Sequence, residues 1–221
     1  MSQLEQSDPR REETHMQGDS AGLSDFLTVA ASIFIAELTD KDALLILSLA
    51  TRFRPKLVFA AGALAFMLTS AIIVTVGQFL INFVPLSLIT LAGGTIMIAY
   101  GFWSFVNTKD AEEIARVERK LSAKASNGAI AVFLTAVAFL IILDLAGDAT
   151  EVLTILFVAR FGDGIIVYAA AVTALVAATA VETTVGSRLS GLISEGRFRF
   201  VSLFLFVIIG AIAILTVIVR V

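Results

Sequence analysis

Six stretches of the chain are apolar almost without interruption, at roughly 25–51, 57–83, 86–107, 128–159, 165–187 and 200–220. Each can cross about 30 Å of hydrocarbon as a helix rising about 1.5 Å per residue. Backbone in lipid must satisfy its own hydrogen bonds, so helices are expected throughout. Proline is missing from these stretches: Pro9, Pro55 and Pro85 fall in the N-terminal tail and in short connections. The pattern predicts an all-α polytopic membrane protein with six transmembrane helices.

Two of the stretches carry acids where acids are costly. The first holds Glu37-Leu38-Thr39-Asp40-Lys41-Asp42, and the fourth holds Asp144-Leu145-Ala146-Gly147-Asp148-Ala149-Thr150-Glu151. A carboxylate at mid-membrane depth costs about 2.5–3.5 kcal/mol even on lenient insertion scales. With one lysine among six acids, the local charge is roughly −5 if all are ionised. Such a site holds protons, holds cations or lines a wet cavity. In a continuous helix Glu37, Asp40 and Lys41 share one face, while Asp42 points away unless the helix is broken there. Asp144, Asp148 and Glu151 would form a stripe along one face. Packing of the first span against the fourth would let the two faces converge.

The two acidic stretches also match each other. With Asp40 set on Asp148, Leu45 meets Leu153 and Arg52-Phe53 meets Arg160-Phe161 without a gap. Thr75-Val76-Gly77 meets Thr184-Val185-Gly186 after a shift of one residue. Each half then holds three spans. Three is odd, so the halves have opposite orientation, and the expected architecture is two inverted three-helix repeats with substrate bound where they meet.

Composition narrows the chemistry. The 221 residues are 58% hydrophobic with a mean hydropathy of +0.94, well above a soluble domain. The net charge of −3 is clustered, and no basic block points to nucleic acid. Cysteine is absent and the one histidine, His15, lies in the tail, so a metal site in the membrane would be built from oxygen. Carboxylates with carbonyl and hydroxyl oxygens suit hard divalent ions such as Ca²⁺, Mn²⁺ or Mg²⁺. Crowded carboxylates also take up protons, and one site that holds either a metal ion or protons is the minimal chemistry of antiport.

The candidate ligands are Glu37, Asp40 and Asp148, with Asp144 and Glu151 as further acids of the second cluster. Thr39, Thr150 and Gly147 would add oxygens or close approach, and Lys41 would neutralise the empty site. Asp42 has a supporting role. Glu182, about a turn from the end of the fifth span, snorkels, pairs with Arg188, or serves as a gate or proton relay. No prosthetic group is expected. The expected partners are membrane lipid, the metal cation and protons, and the pattern neither requires nor rules out a homo-oligomer.

The expected division is a polar, disordered tail at 1–24, a first repeat at 25–107, a charged linker at 108–127 and a second repeat at 128–221. The linker reads as a solvated surface helix or hinge, with opposite charges three or four residues apart. No cleavable signal peptide is expected. Loops after the first, third and fifth spans hold most of the lysine and arginine. They should face the cytoplasm, with both termini outside, in the inner membrane if the host is prokaryotic. Gly93-Gly94 and Gly210 read as helix-packing contacts, and Tyr100 and Trp103 as interfacial anchors.

The two clusters resemble the transmembrane-protein-165-like family of cation/proton antiporters, relatives of the lysine-exporter superfamily. That family carries Glu-x-Gly-Asp-Lys/Arg-Ser/Thr in the first span of each half. The first cluster matches at Glu37, Asp40 and Lys41 and departs at Thr39 and Asp42. The second matches at Gly147, Asp148 and Thr150 and departs at Leu145 and Ala149. The resemblance implies export of Mn²⁺ or Ca²⁺ from the cytoplasm against protons, with Asp144 or Glu151 replacing the second glutamate. Two alternatives remain: a transporter of an amino acid or monovalent cation, with Lys41 beside Asp40 and Asp42 suited to a zwitterion, and an intramembrane aspartyl protease using Asp40 and Asp148.

Overall fold

The computed structural model describes residues 9–107, 110–146, 149–188 and 195–219. Its helices are α1 (Pro9–Glu37), α2 (Lys41–Arg52), α3 (Pro55–Leu80), α4 (Leu86–Val106), α5 (Asp110–Lys124), α6 (Ala129–Leu145), α7 (Ala149–Phe161), α8 (Gly164–Arg188) and α9 (Glu195–Ile218). Four of them, α3, α4, α8 and α9, are long and apolar enough to cross a membrane. The other two expected spans are not continuous helices. The first is the bent pair α1–α2, at 65°, and the fourth is the bent pair α6–α7, at 63°. Six spans result if each bent pair counts as one.

The first break has a local cause. Glu37 closes α1, and the N–H groups of Thr39 and Asp40 reach back to Ala36 and Glu37 at 3.0 Å in tightened turns. The Thr39 hydroxyl donates to the Ala36 carbonyl at 2.9 Å. Together these satisfy carbonyls that a helix end leaves open. Asp40 then turns to extended backbone (φ −92°, ψ 165°), and its carboxylate accepts the Lys41 N–H at 2.6 Å. An aspartate in that position starts a new helix. At the second break the Ala146 N–H reaches Leu143 at 3.2 Å, and α7 restarts at Ala149.

Small residues let the repeats pack closely. A Cβ on Gly94 of α4 would lie 2.8 Å from the Gly210 carbonyl of α9, and one on Gly101 would lie 3.3 Å from that of Leu203. Phe105 and Phe200 pack edge-on at 6.4 Å, so α4 and α9 run antiparallel. The pair α3 and α8 does the same. Gly62 abuts Thr179, Tyr168 donates to the Met67 carbonyl at 3.4 Å, and Gln78 donates to the Gly162 carbonyl at 3.1 Å. The packing is nearly unchanged when the repeats are exchanged: α1 and α2 lie on α8 as α6 and α7 lie on α3. One contact departs most from this symmetry. α4 packs well against α7, whereas α9 and α2 barely touch among the described residues.

The charged linker is more firmly docked than a solvated helix. Val117 and Leu121 of α5 are buried, and α5 lies on α6 and α2. Buried Glu118 accepts from the Ser48 hydroxyl and pairs with Arg52 at 3.0 Å. The tail also differs from expectation. α1 begins at Pro9, within the stretch read as disordered, and proline is tolerated in a first helical turn. Residues 1–8 lie outside the described residues. Large apolar side chains such as Phe79, Ile130 and Ile165 face outward, as lipid contact requires.

Candidate cation site

Both acidic clusters sit at the helix breaks. Glu37 is the last residue of α1, Asp40 caps α2, and Asp42 is in the first turn of α2. All three are buried, at 0%, 1% and 1% exposure. The single helical face expected for Glu37, Asp40 and Lys41 does not exist, because the chain turns by 65° between them. The same turn brings Asp42 inward. The stripe expected for Asp144, Asp148 and Glu151 is likewise interrupted. Asp144 ends α6 one residue from its terminus, and Glu151 lies in the first turn of α7. Gly147 and Asp148 lie outside the described residues.

The helix ends add to the electrostatics. Glu37 and Asp144 lie at C-terminal ends, where the backbone dipole is already negative. Each such end draws cations more strongly than the carboxylate alone. Asp40 and Asp42 lie at an N-terminal end, where the dipole offsets their charge. Broken spans of this kind place helix ends and acids beside each other inside an otherwise apolar span.

Each cluster borders a small cavity. One, of about 10 Å³, is lined by Asp144, Thr150, Glu151 and Thr154 together with Thr69 and Ser70 of α3. That is room for about one water-sized particle. The second, also about 10 Å³, is lined by Lys41, Asp42 and Leu45 with Glu113 and Ile114 of α5 and Leu143 of α6. Leu143 and Asp144 are neighbours in α6 and line one cavity each, so the clusters approach each other there. Among the described residues no three acidic or histidine side chains gather closely enough to form a metal cage.

Several contacts escape the sequence pattern. Tyr100, expected as an interfacial anchor, donates its hydroxyl to Asp40 Oδ1 at 2.6 Å. The Ser202 hydroxyl of α9 donates to the Thr39 carbonyl. The Thr39 hydroxyl is turned back onto α1 rather than toward the acids. Thr69-Ser70, two hydroxyls inside an apolar span, was the one signal that could have marked α3 as part of the second cluster. Glu182 does not pair with Arg188. It is 2% exposed, and Arg188 is solvent-facing.

The sequence profile of the divalent cation/proton antiporter GDT1 matches residues 25–112 and again residues 132–219. The two matches cover most of the chain. The chain belongs to the GDT1 family. Asp40 and Asp148 fall at the same depth in the two GDT1 matches to within one residue, which agrees with the internal alignment of the halves. A GDT1 member is a membrane transporter of divalent cations and not an enzyme, so the protease alternative falls away. No curated protein and no solved structure matches the chain.

Proposed function

We propose that this GDT1-family protein exchanges Mn²⁺ or Ca²⁺ for protons and exports the metal ion from the cytoplasm. The observation that carries this reading is the position of both acidic clusters at the two breaks in otherwise apolar spans. Glu37, Asp40, Asp148, Asp144 and Glu151 are the proposed ligands. Thr150, Thr69 and Ser70 would supply hydroxyl oxygens at the second cluster, and Gly147 is proposed to permit close approach there. Oxygen donors alone favour a hard ion. A carboxylate holds either a proton or the metal ion, so loading one expels the other.

The repeats are proposed to be inverted, with the site between them, and the antiparallel course of α3 against α8 and of α4 against α9 supports this. Both termini are proposed to lie outside, with α5 at the cytoplasmic face, on the strength of the lysine and arginine distribution. The test is flux in proteoliposomes. An imposed pH gradient should drive Mn²⁺ or Ca²⁺ uphill, and Asp40→Asn and Asp148→Asn should each abolish it. Flux indifferent to the pH gradient and to both substitutions rejects the reading.

A further inference from the structure

Glu182 is buried in α8 at 2% exposure, and neither carboxylate oxygen accepts a hydrogen bond from a described residue. The hydroxyls near it are committed elsewhere. Thr179 donates to the Leu175 carbonyl at 2.7 Å, and Thr183 donates to that of Thr179 at 2.7 Å. A buried carboxyl without donors either holds a proton or shares its charge with a cation, and one group that can do both suits a site that exchanges the two.

Another carboxylate faces it. α1 and α2 lie on α8 running the same way, with Gly22 of α1 against Ile166 and Leu47 of α2 against Gly186. One turn beyond Glu182, a Cβ on Gly186 would lie 2.9 Å from Leu47 Cα. That glycine lets α2 lie close on α8, and about one turn back along this parallel pair the same contact sets buried Asp42 beside buried Glu182. Asp42 also lines the cavity beneath α5, beside Lys41 and Glu113. It therefore stands between that cavity and Glu182. Two carboxylates from facing helices suffice to hold a partly hydrated divalent ion, the remaining positions being filled by water and carbonyls.

We propose that Asp42 and Glu182 form a binding station for a hard divalent cation between α2 and α8, beside the first helix break and reached through the cavity beneath α5. The station rests on the transporter reading and adds a ligand from the second repeat to the acids of the first. An ion held there bridges the repeats, and separation of α8 from α2 would weaken its hold.

The test compares full-length native protein with Glu182→Gln, Glu182→Asp and Asp40→Asn. Mn²⁺ flux is measured in proteoliposomes, and Mn²⁺-dependent thermal stabilisation in detergent, with Ca²⁺ and Mg²⁺ alongside. Glu182→Gln keeps the side-chain shape, so it should remain folded, raise the KM for Mn²⁺ at least about tenfold and lose most of the Mn²⁺-dependent stabilisation. A folded Glu182→Gln protein whose KM stays within about twofold of native overturns the station. If Asp40→Asn still abolishes flux in that case, the transporter reading survives. If Asp40→Asn is silent as well, both fall. Should Glu182→Gln fail to fold, Glu182→Asp decides. Its shorter arm should raise the KM and alter the preference among the three ions, and native values for both overturn the proposal.

Discussion

The Tyr100 hydroxyl donates to Asp40 Oδ1 at 2.6 Å, linking α4 to the residue that starts α2. Asp40 thus has two fixed donors on one oxygen, the Lys41 N–H and a phenol sixty positions away in the chain. A hydrogen bond to a charged group contributes about 1.5–3 kcal/mol. Tyr100→Phe should leave the fold intact and raise the KM for the transported ion about tenfold, as read from flux in proteoliposomes. An unchanged KM would mean that the bond does not orient the carboxylate during transport.

Asp144 and Glu151 should not be equivalent. Asp144 is 3% exposed at the C-terminal end of α6, as Glu37 is at the end of α1, whereas Glu151 is half-buried in the first turn of α7. Asp144→Asn should lower flux by about 100-fold, at the upper end of what loss of a partner of a metal ligand costs. Glu151→Gln should cost clearly less. The reverse order would assign the missing glutamate's role to Glu151.

Much of this architecture was legible beforehand. The apolar stretches, the internal match of Asp40 with Asp148 and the small residues at Gly94 and Gly210 all follow from composition and spacing. The breaks did not stand out, because Leu38 and Ala146 continue the apolar run and the first break contains neither glycine nor proline. A signal was present nonetheless: Asp40 followed by Lys41 and Asp42 is the start pattern of a helix. The docked face of α5 was also readable from Ile114, Val117 and Leu121, whose spacing is helical, but the surrounding charges masked it. The Tyr100 and Ser202 contacts join segments far apart in the chain, and no local pattern encodes such pairs.

Close packing of α2 on α8 should tolerate no side chain at Gly186. A Cβ there would lie 2.9 Å from Leu47 Cα, and backbone cannot move aside as a side-chain tip can. Overpacking of this kind costs about 1–3 kcal/mol. Gly186→Ala should lower the melting temperature in detergent and reduce flux. Gly22→Ala is the contrast, because among the described residues its Cβ would meet only Ile166 Cδ1 at 3.5 Å. Alanine is favoured over glycine within a helix by about 1 kcal/mol, so that variant should be neutral or stabilising.

Glu118 fastens α5 to α2. It is 8% exposed, pairs with Arg52 at 3.0 Å and accepts from Ser48. Arg52 is 62% exposed, so the ion pair alone contributes at most about 1 kcal/mol. Glu118→Ala should leave the spans folded, since Val117 and Leu121 still bury their side chains, yet quicken backbone hydrogen exchange across Asp110–Lys124. Exchange at the native rate would place the anchor in the apolar face instead.

The unequal contacts of α4 with α7 and of α9 with α2 have a mechanical consequence. If the halves are inverted as proposed, two like halves that sit unlike against each other have an exchanged arrangement in which each takes the other's posture. Nothing new need be folded to reach it, because every helix already has, in its counterpart, the template for where it would go. The present posture would then be one end of a stroke whose other end is written in the same chain.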